Sequence, residues 1–237
     1  MTDTATGATT EAPLGTTRRG RDARAKARRT RVQTWLPELE RKIPWVDLPT
    51  PEQVQTIHDA SMDILEEVGI DFRCDEAAAS WAAAGASVDG HRVRIDREHL
   101  MELIGTAPSS YTMIARNPER TVTVGDGKQI FTPAYGAPYV HDLDGVRRTA
   151  TIEDFRNFTK LNHLSPALHM SGGVLCEPMD IAVPKRHPHM TDSLLRYSDK
   201  PFMGAVTSKE RAEDRLHMDG TVFGQDLVRN TTPASYT

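Results

Sequence analysis

Hydrophobic and polar positions along this chain follow two different patterns, and the change falls near residue 130. Between Thr50 and Gly69, Val54, Ile57, Ile64, Leu65 and Val68 recur at helical spacing on one face. Thr50 stands as the cap, Pro51 at the first helical position, Glu52 in the first turn and Gly69 as the stop. An alanine-rich helix is predicted from Asp75 to Gly85, then a short strand pair around Asp89-Gly90. Asp96 caps a further helix predicted to bury Leu100, Leu103 and Ile104. From Tyr111 to Phe131 the texture is strand, turn, strand, turn, strand, with turns at Asn117-Pro118 and Asp126-Gly127. Short elements with no parallel crossover make residues 32–129 an α+β segment.

Residues 130–237 alternate instead between strand and helix. An apolar run from Ile130 to Val140 precedes a helix over 151–163, capped by Thr151. "LHMSGGVL" is a strand followed by a loop and a helix over 190–198; "PFMGAV" is a strand followed by a helix from near Ser208. Strand then helix, three times over, predicts a parallel sheet with right-handed crossovers. The fold class is therefore α/β. After Phe223 the chain turns polar and predicts no further strand, and three βα units do not close a barrel of eight. The sequence reads as part of a longer fold.

Composition narrows the function classes. No window approaches the roughly 18 apolar residues of a membrane span. Cys74 and Cys176 are too few for a disulfide framework or a thiolate zinc site, so a cytoplasmic protein is expected. The net charge of −4 hides an asymmetry. Residues 1–31 hold eight basic and three acidic side chains, net +5, leaving −9 for the rest. This arm, Thr- and Ala-rich and then Arg-rich, is expected to be disordered. Solvation or contact with an acidic partner accounts for it better than nucleic acid does.

Candidate chemistry gathers where strands end. His141 and Asp142 follow the first apolar run, and two readings stand: a general base with its orienting acid, or a turn aspartate beside a satisfied histidine. Adjacent strand residues point to opposite faces, which weighs against the first. Tyr135 and Tyr139 cluster near the same strand end, where their rings either pack in the core or attract a quaternary ammonium group. Glu177 and Asp180 follow the second strand, as solvent-facing loop acids or as counterions for a cation. His187 and His189 have the His-x-His spacing of some metallohydrolases, but Pro184 and Lys185-Arg186 separate them from any apolar run, so no metal site is expected. "SGGV" is too short for a phosphate loop, and close backbone approach explains its glycines better.

The ordered series "RRGRDARAKARR", "HDASMDILEEVGIDF", "RNPERTVTVGDGK", "GAPYVHDLDGVRRTATIEDF" and "HPHMTDSLLRYSDKPFMGAVTS" resembles the amino-terminal half of the trimethylamine methyltransferase family. That resemblance implies a partial TIM-type (β/α)8 barrel, of which this chain holds about three βα units, preceded by the α+β segment and the basic arm. It implies transfer of a methyl group from a methylated amine, trimethylamine or a betaine, to the Co(I) corrinoid of a partner protein. No cofactor is then bound directly, and a homo-oligomer is expected at full length. Tyr135, Tyr139, Glu177 and Asp180 become the expected substrate cage, with His141 and Asp142 the catalytic candidates. A non-catalytic binding module and a metal-dependent hydrolase are the alternatives.

Overall fold

The computed structural model describes residues 35–44, 46–204 and 206–230, together with strand Ala234–Tyr236. The chain divides into two units, Met1–Trp35 and Leu36–Thr237, and the second is described here by itself. The expectation of a disordered basic arm lies outside the described residues.

Local signals fix the front elements. Strand β1 (Leu39–Glu40) precedes helix α1 (Pro51–Asp63), which opens with a capping box in which Thr50 and Gln53 each accept from the other's backbone N–H. A π-turn over Ile64–Val68 continues it, and Gly69, at φ +74°, ends it by donating to the Ile64 carbonyl. A Cβ at Gly69 would lie 2.4 Å from the Val93 carbonyl oxygen, so glycine is required there. Strands β2 (Ile70–Asp71), β3 (Ser87–Asp89) and β4 (Arg92–Arg94) form an antiparallel sheet with β4 central, and helix α2 (Asp75–Ala83) joins β2 to β3. Helix α3 (Arg97–Gly105) is capped by Asp96 as expected, but Leu103 and Ile104 are exposed rather than buried. Strands β5 (Ser110–Met113) and β6 (Val122–Gly125) pair antiparallel, and β7 (Lys128–Gln129) pairs with β1.

The back half is built on backbone segments lying side by side. His169 N–H donates to the Phe131 carbonyl (2.9 Å) and Gly136 N–H to the Val174 carbonyl (2.7 Å), which sets 131–136 along 169–174 in the same direction. Ser171 forms a parallel bridge with Phe202 of strand β10 (Phe202–Gly204), and β10 pairs in parallel with β11 (Ala234–Tyr236). Helices α4 (Ile152–Leu164), α5 (Val183–Tyr197), and α6 (Lys209–Phe223) with α7 (Gln225–Asn230) fill the three connections. The result is mixed α/β with an open run of neighbouring parallel segments; the described residues form no closed barrel.

Alternation divides this run between two cores. Phe202 is buried with Phe155, Leu175, Met190 and Leu194, joining the helices to the segments. Its neighbour Met203 points the other way and packs, with Met170 and Ile130, on Met113 and Val122 of the β5–β6 pair. Gly173 makes this closeness possible, since a Cβ there would sit 2.9 Å from the Gly204 carbonyl oxygen.

Four expectations are corrected. The run Ile130–Val140 is not one strand. Gly136 adopts φ +89°, and strand β8 (Tyr139–His141) turns back on β9 (Arg147–Thr149) as an antiparallel hairpin. "LHMSGGVL" pairs through single bonds and one bridge rather than a regular ladder. Helix α5 begins at Val183, not 190, because Pro184 sits in its first turn and Pro188 is carried inside it. The polar end that predicted no strand supplies β11.

Candidate active site

The hairpin β8–β9 grows from the carboxyl end of segment 131–136. It is moored to the next segment, with Glu177 N–H on the Ala137 carbonyl and Met179 N–H on the Ala150 carbonyl (2.9 and 2.8 Å). In a run of parallel segments this is the end at which α/β enzymes assemble their sites. The side chains expected from the sequence are therefore all near one end of the fold, but their engagements differ.

Tyr135 lies against Gly172, where a Cβ would approach its Cδ1 to 3.4 Å, and its ring is exposed. Tyr139 is exposed on the outer face of the hairpin, with the Arg147 guanidinium carbon 3.9 Å from its ring centroid. His141 stands opposite Arg147 in the register and is exposed. Asp142 does not orient His141. Its Oδ1 accepts from the backbone N–H groups of Asp144 and Val146 (3.1 and 2.9 Å), the bonds of a turn aspartate. Glu177 accepts from Arg186 at 3.4 Å, and Asp180 accepts from the backbone N–H of Ile152 at 2.9 Å, in the first turn of α4. The structure brings Tyr139, His141 and Arg147 onto one face; it does not bring His141 and Asp142 into a pair.

On the other face of the hairpin Val140 is buried, and Arg148, itself partly exposed, forms two hydrogen bonds to Asp154 (2.6 and 2.7 Å). The Arg148 guanidinium, aided by Thr151, holds the Asp154 carboxyl well below the usual carboxylate range. Cys176 beneath them is fully buried, and burial with the nearby carboxylates pushes its thiol up to about 12, which makes it a packing group rather than a nucleophile. His187, inside α5, bonds through Nε2 to Asp214 of α6 at 2.8 Å and ties the two helices. Among the described residues no three His, Cys, Asp or Glu side chains are grouped to hold a metal. A cavity of about 320 Å³ between Pro133-Ala134 and Phe158-Leu161 of α4 is lined mainly by apolar groups and carries no titratable side chain.

Charge at the opposite end is structural. Lys200 is buried, and its ammonium donates to the carbonyls of Asn162, Ser165 and Leu168 (2.6–2.8 Å) while burial pulls its pKa down to about 8. Arg120 and His163 meet Asp199 beside it.

Sequence reasoning passed over Arg147. It was readable only as half of an arginine pair, and the hairpin register alone separates its fate from that of Arg148.

These features define an α/β protein with aromatic and charged side chains at the carboxyl end of parallel segments and no described metal cluster. The trimethylamine methyltransferase (MTTB) family matches residues 17–237, and the chain belongs to that family. It is 42% identical over 188 residues to a glycine betaine methyltransferase of Desulfitobacterium hafniense (strain Y51), covering 79% of this chain and 39% of the relative. It is 29% identical over 163 residues to a proline betaine:corrinoid methyltransferase of Eubacterium limosum (65% and 32%), and 27% identical over 153 residues to that organism's L-carnitine:corrinoid methyltransferase (64% and 31%). The chain thus spans well under half the length of the curated relatives it matches.

Proposed function

We propose that this protein carries the methylated-amine site of a corrinoid-dependent methyltransferase, moving a methyl group from trimethylamine or a betaine-type quaternary amine to the Co(I) corrinoid of a partner protein. Residues 130–237 are then the opening βα units of a TIM-type barrel, residues 32–129 precede it, and the full-length enzyme is a cytoplasmic homo-oligomer that binds no cofactor directly. The observation that carries this reading is the 42% identity with a glycine betaine methyltransferase across 79% of the chain.

The chemistry asks little of the protein beyond binding and alignment. The C–N bond breaks with its electron pair left on nitrogen, and the acceptor supplies the pair for the new bond to carbon. A quaternary ammonium leaves as a neutral tertiary amine, and trimethylamine, reacting as its ammonium ion, leaves as dimethylamine with its proton still on nitrogen, so His141 and Asp142 have no obligatory transfer to perform. A quaternary ammonium has no N–H to donate. It is held by π-faces and carboxylate charge, for which Tyr135, Tyr139, Glu177 and Asp180 are the proposed contributors. Glu177 shares its charge with Arg186, and Asp180 has one oxygen on the α4 backbone, so the rings do most of the holding.

Methyl transfer is tested by mixing the protein with cob(I)alamin and each amine and following loss of the Co(I) absorbance. A quaternary amine that converts Co(I) to methyl-cobalt, with stoichiometric release of the demethylated amine, is expected. Equal rates with and without every amine would contradict the reading.

A further inference from the structure

Arg147 and Arg148 are adjacent on one strand and have opposite fates. Arg148 turns toward helix α4 and, though partly exposed, meets Asp154 in two hydrogen bonds. Arg147 turns outward, and among the described residues no carboxylate lies within ion-pair distance of it; its guanidinium carbon lies 3.9 Å from the centre of the Tyr139 ring. The other arginines at this end are occupied: Arg186 with Glu177 and the Ile181 carbonyl, Arg211 with the Thr207 hydroxyl at 2.6 Å. A guanidinium stacked on a ring keeps its in-plane N–H fork free, and that fork matches a carboxylate. The ring beneath it is itself still half exposed.

We infer that Arg147 is a specificity-determining residue that takes the carboxylate of a zwitterionic quaternary amine, so that the site favours betaines over amines lacking an acid group. This deepens, and rests on, the methylated-amine reading. In a betaine the ammonium and the carboxylate are separated by a short carbon link. A π-surface and a guanidinium fork in contact with each other offer both complements within that span. An amine such as trimethylamine would use the rings and leave the fork empty. Arg147 touches no reacting atom in this account; it selects and orients.

The test is calorimetric or NMR titration of the whole chain with glycine betaine and with tetramethylammonium, which has the same cationic head and no carboxylate. Arg147→Gln is expected to weaken glycine betaine about tenfold or more, the loss of a charge-assisted pair, and to leave tetramethylammonium within about twofold. Arg147→Lys, with charge but no fork, should fall between. An unchanged thermal transition in both variants shows the hairpin intact. Unchanged glycine betaine affinity in Arg147→Gln, or equal losses for both ligands, would overturn the assignment while sparing the methylated-amine reading. Failure of both ligands to bind the unaltered chain would overturn that reading and this one with it.

Discussion

Helices α1 and α4 are each 13 residues long and begin with the same device, a threonine capping box, yet they end in different environments. On α4 one face is taken up by the core, with Phe155 at 0% exposure and Thr159 and Asn162 also buried, while Phe158, Leu161 and Leu164 stay exposed. Along α1 and its π-turn the face predicted to be apolar is largely exposed: Val54, Ile57, Ile64 and Val68 are open, Ile57 at 65%, Leu65 is half-buried, and Met62 alone is buried within the helix proper. Capping and periodicity decide that a helix forms and where it starts. What it buries is decided by whatever lies opposite, which a local pattern does not encode. Residues 50–105 are thus held mainly by bonds among themselves, whereas the β5–β6 pair and the back half share buried cores.

The largest expected difference between the halves is in stability. Phe155→Ala should cost about 3–5 kcal/mol in denaturant unfolding, as a fully buried aromatic lost from the core. Ile57→Ala should fall within about 0.5 kcal/mol, as an exposed substitution. Similar losses from the two would break the comparison, because they would mean that α1 buries Ile57 as α4 buries Phe155.

Next comes the buried ion pair that joins α6 to the segments. Arg215 bonds Asp219 at 2.8 Å and stacks 4.1 Å above the Phe202 ring, and both charged residues are almost fully buried. Burial raises the Asp219 carboxyl pKa against the pull of Arg215. Arg215→Met should cost about 3 kcal/mol by stranding that carboxylate, and Arg215→Met with Asp219→Asn together should recover part of it. Identical losses in the single and double variants would contradict this. In the front half, Arg97 bridges Asp63 and Glu66 at a partly exposed position, where Arg97→Met should cost far less than Arg215→Met.

A smaller effect depends on pH. Asp154 is held below its ordinary range, so it binds fewer protons folded than unfolded. Its contribution is complete above the unfolded carboxylate pKa and is lost as pH falls below that range toward the lowered folded value. Asp154→Asn should lower stability at neutral pH by about 1–2 kcal/mol and flatten the acid limb of the stability profile. An unchanged acid limb would show that Arg148 does not hold this carboxylate.

The chain's local grammar was legible where one residue decides the outcome. Thr50, Asp96, Thr151 and Ser208 mark helix starts, and each accepts a backbone N–H as its type predicts. It was illegible where pairing decides. Arg147–Thr149 is a fully exposed polar strand that only its register with Tyr139–His141 reveals, and Ala234–Tyr236 becomes a strand only through β10. The same limit applies to the site. Tyr135 and Tyr139 were readable as residue types near a strand end and Asp142 as a turn aspartate, whereas the outward guanidinium of Arg147 depends on a hairpin that reads as one strand and a loop.

The smallest effect falls on the site, where ring and hydroxyl can be separated. Tyr139→Ala should raise the apparent KM for the amine about two- to thirtyfold, the worth of a cation–π contact of roughly 0.5–2 kcal/mol, and Tyr139→Phe should cost much less. Equal, large losses from both would mean that the hydroxyl binds and the aromatic account is wrong.

The central claim, that the exposed rings at the carboxyl end of the parallel segments hold a methylated ammonium, is tested most directly by mapping where such a cation binds. Backbone amide shifts recorded during titration with tetramethylammonium should move at Tyr135–Tyr139, at Gly172–Glu177 and on Arg147, and stay fixed on α1 and around Lys200. Shifts confined to the exposed face of α1, or none at the hairpin at saturating cation, would contradict it.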